Sequence, residues 1–312
     1  MRRRWCGVLA LVVWSIGLEA QSPAAPVEQM AYLAGSFDRW SIAPPIAVAM
    51  LEDLSPTVRA RVVQQLASTA NETSLPLLTR YWMDSSPAVR RNVMMAAGRI
   101  GPKGRDLALQ GVRDRAPVVR QVAAWALCHT GDSGWNGLSK LLETEKDVGV
   151  LETALANAWR FEGPPWQPRV ARFAGHASPY LRRAAAFSLS RTGAPSARPA
   201  QRALAGDSEA VIRATAVRSF ARGTVDSQDL ATLSSALGDP DWRVRAAACG
   251  VFAERKDLSL PDGAAARISA FLSEPYPHLV QAAMAAARTH PSIGSVARFQ
   301  SVLESGEPST AA

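Results

Sequence analysis

The chain has 312 residues, ample for one or two ordinary domains with a full core. Hydrophobic residues make up 47% and charged residues 20%, which excludes a disordered or collagen-like chain. The formal net charge of +8 is carried mostly by arginine and is too mild to indicate a nucleic-acid partner by itself.

Residues 1–20 read as a secretory signal: Arg2, Arg3 and Arg4, an apolar run from Gly7 to Leu18, then Glu19-Ala20. That run is too short for a bilayer core of about 30 Å, and no later apolar run reaches eighteen residues. Cleavage after Ala20 removes three positive charges and one negative, so the net charge falls by two. The expectation is an exported chain, periplasmic or extracellular, with no membrane span after cleavage and no nucleic-acid partner. Residues 21–45 form an N-terminal segment suited to act as a cap.

From residue 46 the chain repeats. The tripeptides Thr57-Val58-Arg59, Ala88-Val89-Arg90, Val118-Val119-Arg120, Tyr180-Leu181-Arg182, Val211-Ile212-Arg213 and Arg243-Val244-Arg245 share one register. Degenerate copies stand at Gly149-Val150-Leu151 and His278-Leu279-Val280. Successive anchors are 31, 30, 31, 31, 31, 32 and 35 residues apart. Proline often stands three residues before the anchor, where a first helical turn tolerates its missing N–H. Six before stands an acid, Asp53, Asp84, Asp114, Glu145, Asp207, Asp239 or Glu274, with His176 the exception. Apolar residues at +3, +4 and +7 mark one face of a helix, called B here, and a glycine near +11 suits its C-cap. A second amphipathic stretch in each copy, such as Leu75–Trp82 or Leu230–Leu237, gives a helix A. One such pair cannot bury its own apolar face, whereas a stack can. The prediction is an all-α solenoid of about eight two-helix units over 46–304, its last helix A at Val296–Leu303, with a disordered tail at 305–312.

The Asp-x-x-Pro-x-Val-Arg strings, as in Asp84-Ser85-Ser86-Pro87-Ala88-Val89-Arg90, resemble the HEAT repeat, particularly the short bacterial kind also found in phycobilisome lyases. The resemblance implies a fold and little about chemistry. It leaves open an accessory subunit or detached module of an enzyme, either lyase-like or associated with a peptidyl-prolyl isomerase.

The acids and arginines recur once per unit, which favours a structural ladder over a catalytic site. Its members are Asp53, Arg59, Asp84, Arg90, Asp114, Arg120, Arg182, Asp207, Arg213, Asp239 and Arg245. The four histidines have no ligand spacing, so neither a metal nor a cofactor is expected and the chain reads as non-catalytic. Cys128 and Cys249 fall four units apart, roughly 40 Å at about 10 Å per helix layer, too far for a disulfide.

Repeat solenoids bind along the concave face, here lined by B helices. The +5 column supplies Met95, Trp125 and Phe187; the +1 column supplies Arg91 and Arg183; the +9 column supplies Arg99, Arg160 and Arg191. Exposed aromatics beside arginine are typical interface anchors. They predict a protein or peptide partner, extended or acidic. The rival expectation is a polyanion bound along the arginine row, which would depend strongly on salt.

Overall fold

The computed structural model describes residue 52 and residues 55–69, 72–163 and 165–293. The expected leader, cap segment, Asp53, 296–303 helix and tail lie outside them. Within the described residues the chain is helical, with no strand. The order begins α1 (Pro56–Thr69), α2 (Leu75–Tyr81), α3 (Pro87–Ile100), α4 (Arg105–Gly111) and α5 (Pro117–Leu127). It continues α6 (Trp135–Thr144), α7 (Val148–Asn157), α8 (Gln167–Ala171), α9 (Pro179–Leu189) and α10 (Arg198–Ala205). It closes with α11 (Ala210–Val217), α12 (Ser227–Ala236), α13 (Trp242–Glu254), α14 (Ala264–Phe271) and α15 (Pro277–Thr289). Odd-numbered helices are the B helices of the sequence pattern; even-numbered ones are the A helices.

Local chemistry explains the helix ends. Proline is the first residue of α1, α3, α5, α9 and α15, where no N–H is required. Two B helices without it use a side-chain cap instead: Asp147 accepts from the Val150 N–H, and Asp241 from the Arg243 N–H. Among the expected C-terminal glycines, Gly101, Gly131 and Gly223 hold positive φ, whereas Gly193 does not. Gly193 serves close approach instead, since a Cβ there would stand 2.6 Å from the Gly223 nitrogen.

Each B helix packs directly on the next, while among the A helices only α10 and α12 meet closely. The B helices are therefore the tighter layer. Buried apolar residues fall into three clusters, spanning residues 58–123, 108–216 and 214–293. Alanine supplies much of this core, which lets the B helices approach. Gly98 of α3 marks one such close contact. A Cβ there would run into the Trp125 ring and stand 2.8 Å from the Ala126 Cα, which is backbone and cannot yield cheaply. Gly98→Ala is expected to destabilise the fold by about 1–3 kcal/mol in a denaturant titration, despite alanine's better helix propensity.

Candidate partner-binding face

A charged ladder joins successive units at the turns that start the B helices. Arg59 pairs with Asp84 (Nε–Oδ2 2.8 Å), Arg90 with Asp114 (2.7 Å) and Arg120 with Glu145 (2.7 Å). Further along, Arg182 pairs with Asp207 (2.6 Å) and Arg213 with Asp239 (2.7 Å). In each of these five pairs a second guanidinium nitrogen reaches the other carboxylate oxygen, giving the planar bidentate fork that lysine cannot make.

The third nitrogen turns back. Arg90 Nη1 donates to the Asp84 and Ser85 carbonyls, and Arg120, Arg182, Arg213 and Arg245 repeat the pattern in their own turns. Each arginine thus joins its own turn to the acid of the next unit. The acid holds its own turn by accepting an N–H two residues on, as Asp84 does from Ser86 at 2.8 Å.

The last rung is weaker. Arg245 meets Glu274 through Nη2 at 2.5 Å, and its Nε is buried without a hydrogen-bond partner among the described residues. The longer loop before α14 moves Glu274 29 residues from its arginine, against 24–26 in the other rungs.

One rung is missing at both ends. Leu151 replaces the arginine and is buried; His176 replaces the acid. His176 Nδ1 still accepts the Ser178 N–H at 3.0 Å, so its turn is kept while the bridge to α7 is given up. The paired loss leaves no buried charge without a partner at this junction.

The carboxylates feel their partners. Burial pushes Asp84, Asp114 and Asp207 up, but the hydrogen bonds from arginine and from the backbone outweigh it, and all three lie below the usual value. Glu145 is drawn down to about 2, first by its hydrogen bonds from Arg120. A carboxylate whose folded value lies below its unfolded one stabilises at neutral pH and loses that contribution as pH falls through the folded value. Stability is therefore expected to decline from about pH 4.5 down to about 2, with Glu145→Gln showing a shallower decline over that window in circular-dichroism melts.

The exposed ridge of the B helices differs from the sequence expectation. Met95 and Trp125 are half-buried, not free. The Trp125 ring lies 4.1 Å from the His129 ring, centroid to centroid, and packs over Gly98. Ala156 separates Trp125 from Phe187 on the intervening helix, so the three apolar residues do not form one strip. Phe187 alone of the three is exposed, at 38%.

The arginines of the expected site are exposed but differ in what they do. Arg91 reaches its neighbour Asn92, and Arg183 pairs with Glu152 of α7 at 3.0 Å. Arg99 donates to the Ala67 carbonyl at 3.3 Å, in the last turn of the preceding B helix. Arg222 does the same to the Ser190 carbonyl at 3.1 Å. Arg99 and Arg222 therefore serve a neighbouring helix end, not only their own, where the orphan carbonyls carry partial negative charge.

Arg160 and Arg191 each stand 4.9 Å from the centre of the Trp159 ring, and Arg191 also stands 4.8 Å from that of Phe187. Arg183 lies over Tyr180, which is 56% exposed. Trp159 and Tyr180 were not among the expected site residues. Trp159 occupies +8, a column that holds small residues in every other unit but the last (Arg288), such as Gly98, Cys128, Ser190 and Ala221, and its ring there was the signal to find it.

Reactive chemistry is sparse. Both cysteines are free and buried; burial pushes Cys249 up to about 12 and Cys128 up further, so neither thiol is a nucleophile at neutral pH. Cys128 belongs to the core. No cluster of three or more His, Cys, Asp or Glu among the described residues could hold a metal.

A family profile described as HEAT repeats matches residues 43–128 and 166–253, more than half of the chain. The chain belongs to the HEAT-repeat family. The unmatched stretch between the two contains Leu151 and Trp159, where the HEAT pattern gives up its arginine and gains a half-buried ring. Among solved structures, the Escherichia coli protein YibA is similar at a TM-score of 0.52 and 18% identity, covering 81% of this chain and 97% of its own. An engineered protein matches at 0.54 and 16% identity, covering 88% of this chain and 84% of its own. Likeness at that identity concerns the fold. No curated protein sequence matches the chain. The HEAT array points to a protein-interaction scaffold, and no helix among the described residues is long and apolar enough to cross a membrane.

Proposed function

We propose that this HEAT-repeat chain is an exported, non-catalytic scaffold that holds a protein partner on its B-helix layer. Export rests on the basic and apolar leader of residues 1–18. The choice of layer rests on packing: the layer whose helices lie closest together is the inner, concave side of a curved stack.

The observation that carries the reading is the group around Trp159. Trp159 is half-buried with Arg160 and Arg191 over its ring, Phe187 is exposed beside it under Arg191, and exposed Tyr180, at the start of the same helix as Phe187, carries Arg183. Stacking holds long side chains in place before a partner arrives, so less conformational entropy is lost on binding.

The test is affinity capture with the full chain, in parallel with a Phe187→Ser/Arg191→Gln double variant. Both side chains are exposed, so the variant is expected to melt as the native chain does. A protein recovered by the native chain and reduced at least about tenfold with the variant supports the reading. Equal recovery by both places the interface elsewhere, and polyanions released by salt alone would replace a protein partner with a charge-driven one.

A further inference from the structure

Arg160, Arg191 and Arg222 occupy the same register position in three consecutive units, each 31 residues after the last, and all three are exposed. The position is bounded on both sides. One unit earlier it holds His129, whose Nδ1–H is spent on the Trp125 carbonyl at 2.8 Å. One unit later it holds Glu254, which reverses the sign. The row is therefore a basic track of three, with ends.

Its donors are available. Among the described residues the guanidinium groups of Arg160 and Arg191 lie over Trp159 and make no hydrogen bond or ion pair, while that of Arg222 gives one N–H to the Ser190 carbonyl. A guanidinium placed over a ring, with no carboxylate or carbonyl on it, keeps its N–H groups free for a carboxylate. Nearby acids do not neutralise the track. Asp132 is occupied by the Glu162 and Gly163 N–H groups, and exposed Glu162 pairs with none of the three among the described residues.

Spacing selects the ligand. Helices packed side by side lie about 8–10 Å apart, so the three arginines recur at about that interval. A polyproline-II segment rises about 3.1 Å per residue with three residues per turn, returning to the same face every ~9.3 Å. A β-strand covers a similar length in three residues, but its side chains alternate, so every third one points away.

We infer that the track binds an extended, polyproline-II-like segment of a partner protein that carries a carboxylate at every third residue, one for each of Arg160, Arg191 and Arg222. The inference rests on the scaffold reading above and names the chemistry of its partner. Trp159 and Phe187 form the apolar floor between successive arginines, suited to proline or another compact side chain in the segment.

Two labelled nine-residue peptides test it by fluorescence anisotropy with the full chain. Both have three glutamates in a proline-rich background, one with glutamate at every third position and one at every second. The every-third peptide is expected to bind about tenfold tighter, and Arg160→Gln, Arg191→Gln and Arg222→Gln each to weaken it about three- to tenfold. Arg191→Lys, which keeps the charge and loses the stacked fork, is expected to weaken it as well. Arg105→Gln, outside the track, is expected to leave binding unchanged, and matching melting curves show that each variant is folded.

Equal affinity for both spacings, or binding that survives Arg191→Gln, overturns the inference. So does a single-stranded oligonucleotide that binds more tightly than either peptide, which would make the track a polyanion site. If neither peptide binds while capture still loses its protein in the Phe187→Ser/Arg191→Gln variant, the scaffold reading stands and the spacing rule fails. A peptide that binds as expected, with no loss of captured protein in that variant, separates the two in the other direction.

Discussion

Replacing Arg90 with leucine is expected to lower the unfolding free energy by about 3–5 kcal/mol, measured by denaturant titration. Its side chain is 6% exposed and that of Asp114 7%, so the substitution leaves a carboxylate in the interior without its two charge-assisted bonds. It also releases the Asp84 and Ser85 carbonyls, which share the same guanidinium. Breaking a buried pair costs much more than the pair contributes over a well-packed apolar replacement.

The chain itself supplies the control for this result. At the junction of α7 with the turn before α9, leucine and histidine stand together where the other units have arginine and an acid. Arg90→Leu combined with Asp114→His is therefore expected to be at least about 1.5 kcal/mol more stable than the summed single effects imply. Histidine can keep the local turn by accepting an N–H two residues on, as His176 does from Ser178. Strict additivity would show that the matched loss at Leu151 and His176 is incidental.

Asp229→Ala is the second large effect, again about 3–5 kcal/mol by the same measurement. Asp229, at 1% exposure, holds two arginines: Arg202 Nε at 2.6 Å and Arg198 Nε at 3.2 Å. It also accepts the Asp226 N–H in the capping box that starts α12. Arg198 in turn donates to the Arg222 and Thr224 carbonyls, each at 2.8 Å. This network joins α10 to α12, the A helices that meet closely, and lies where two apolar clusters divide at α11. Its loss is expected to uncouple the C-terminal units. Hydrogen exchange should then show residues 226–293 opening before residues 117–205. A single cooperative opening with little change in stability would contradict the network's role.

The period, the proline starts and a once-per-unit ladder of acids and arginines were legible in the residues, because each depends on fixed offsets along a helix; that each arginine reaches forward to the acid of the next unit was not. Exposure was not. Trp125 and Phe187 share one register position, yet Gly98 gives the Trp125 ring a surface to pack on, while Phe187 stays at the surface under Arg191. Which ring is free depends on the size of a residue one unit away, and register alone does not carry that. Gly193 and Gly223 likewise look equivalent in sequence; one takes positive φ and the other allows two backbones to touch. The arginine rung at α7 could be seen to be missing from sequence, but not that His176 would keep its turn.

The measurement that tests the scaffold account most directly is site-specific photo-crosslinking of the full chain in extract of its own host. A photoreactive residue is placed at Phe187 on the B layer and, separately, at exposed Ala203 on the A layer. The account predicts a discrete protein adduct from position 187, lost when Arg191→Gln is added, and none from position 203. An adduct from position 203 alone, or one from 187 that is indifferent to Arg191, would contradict it.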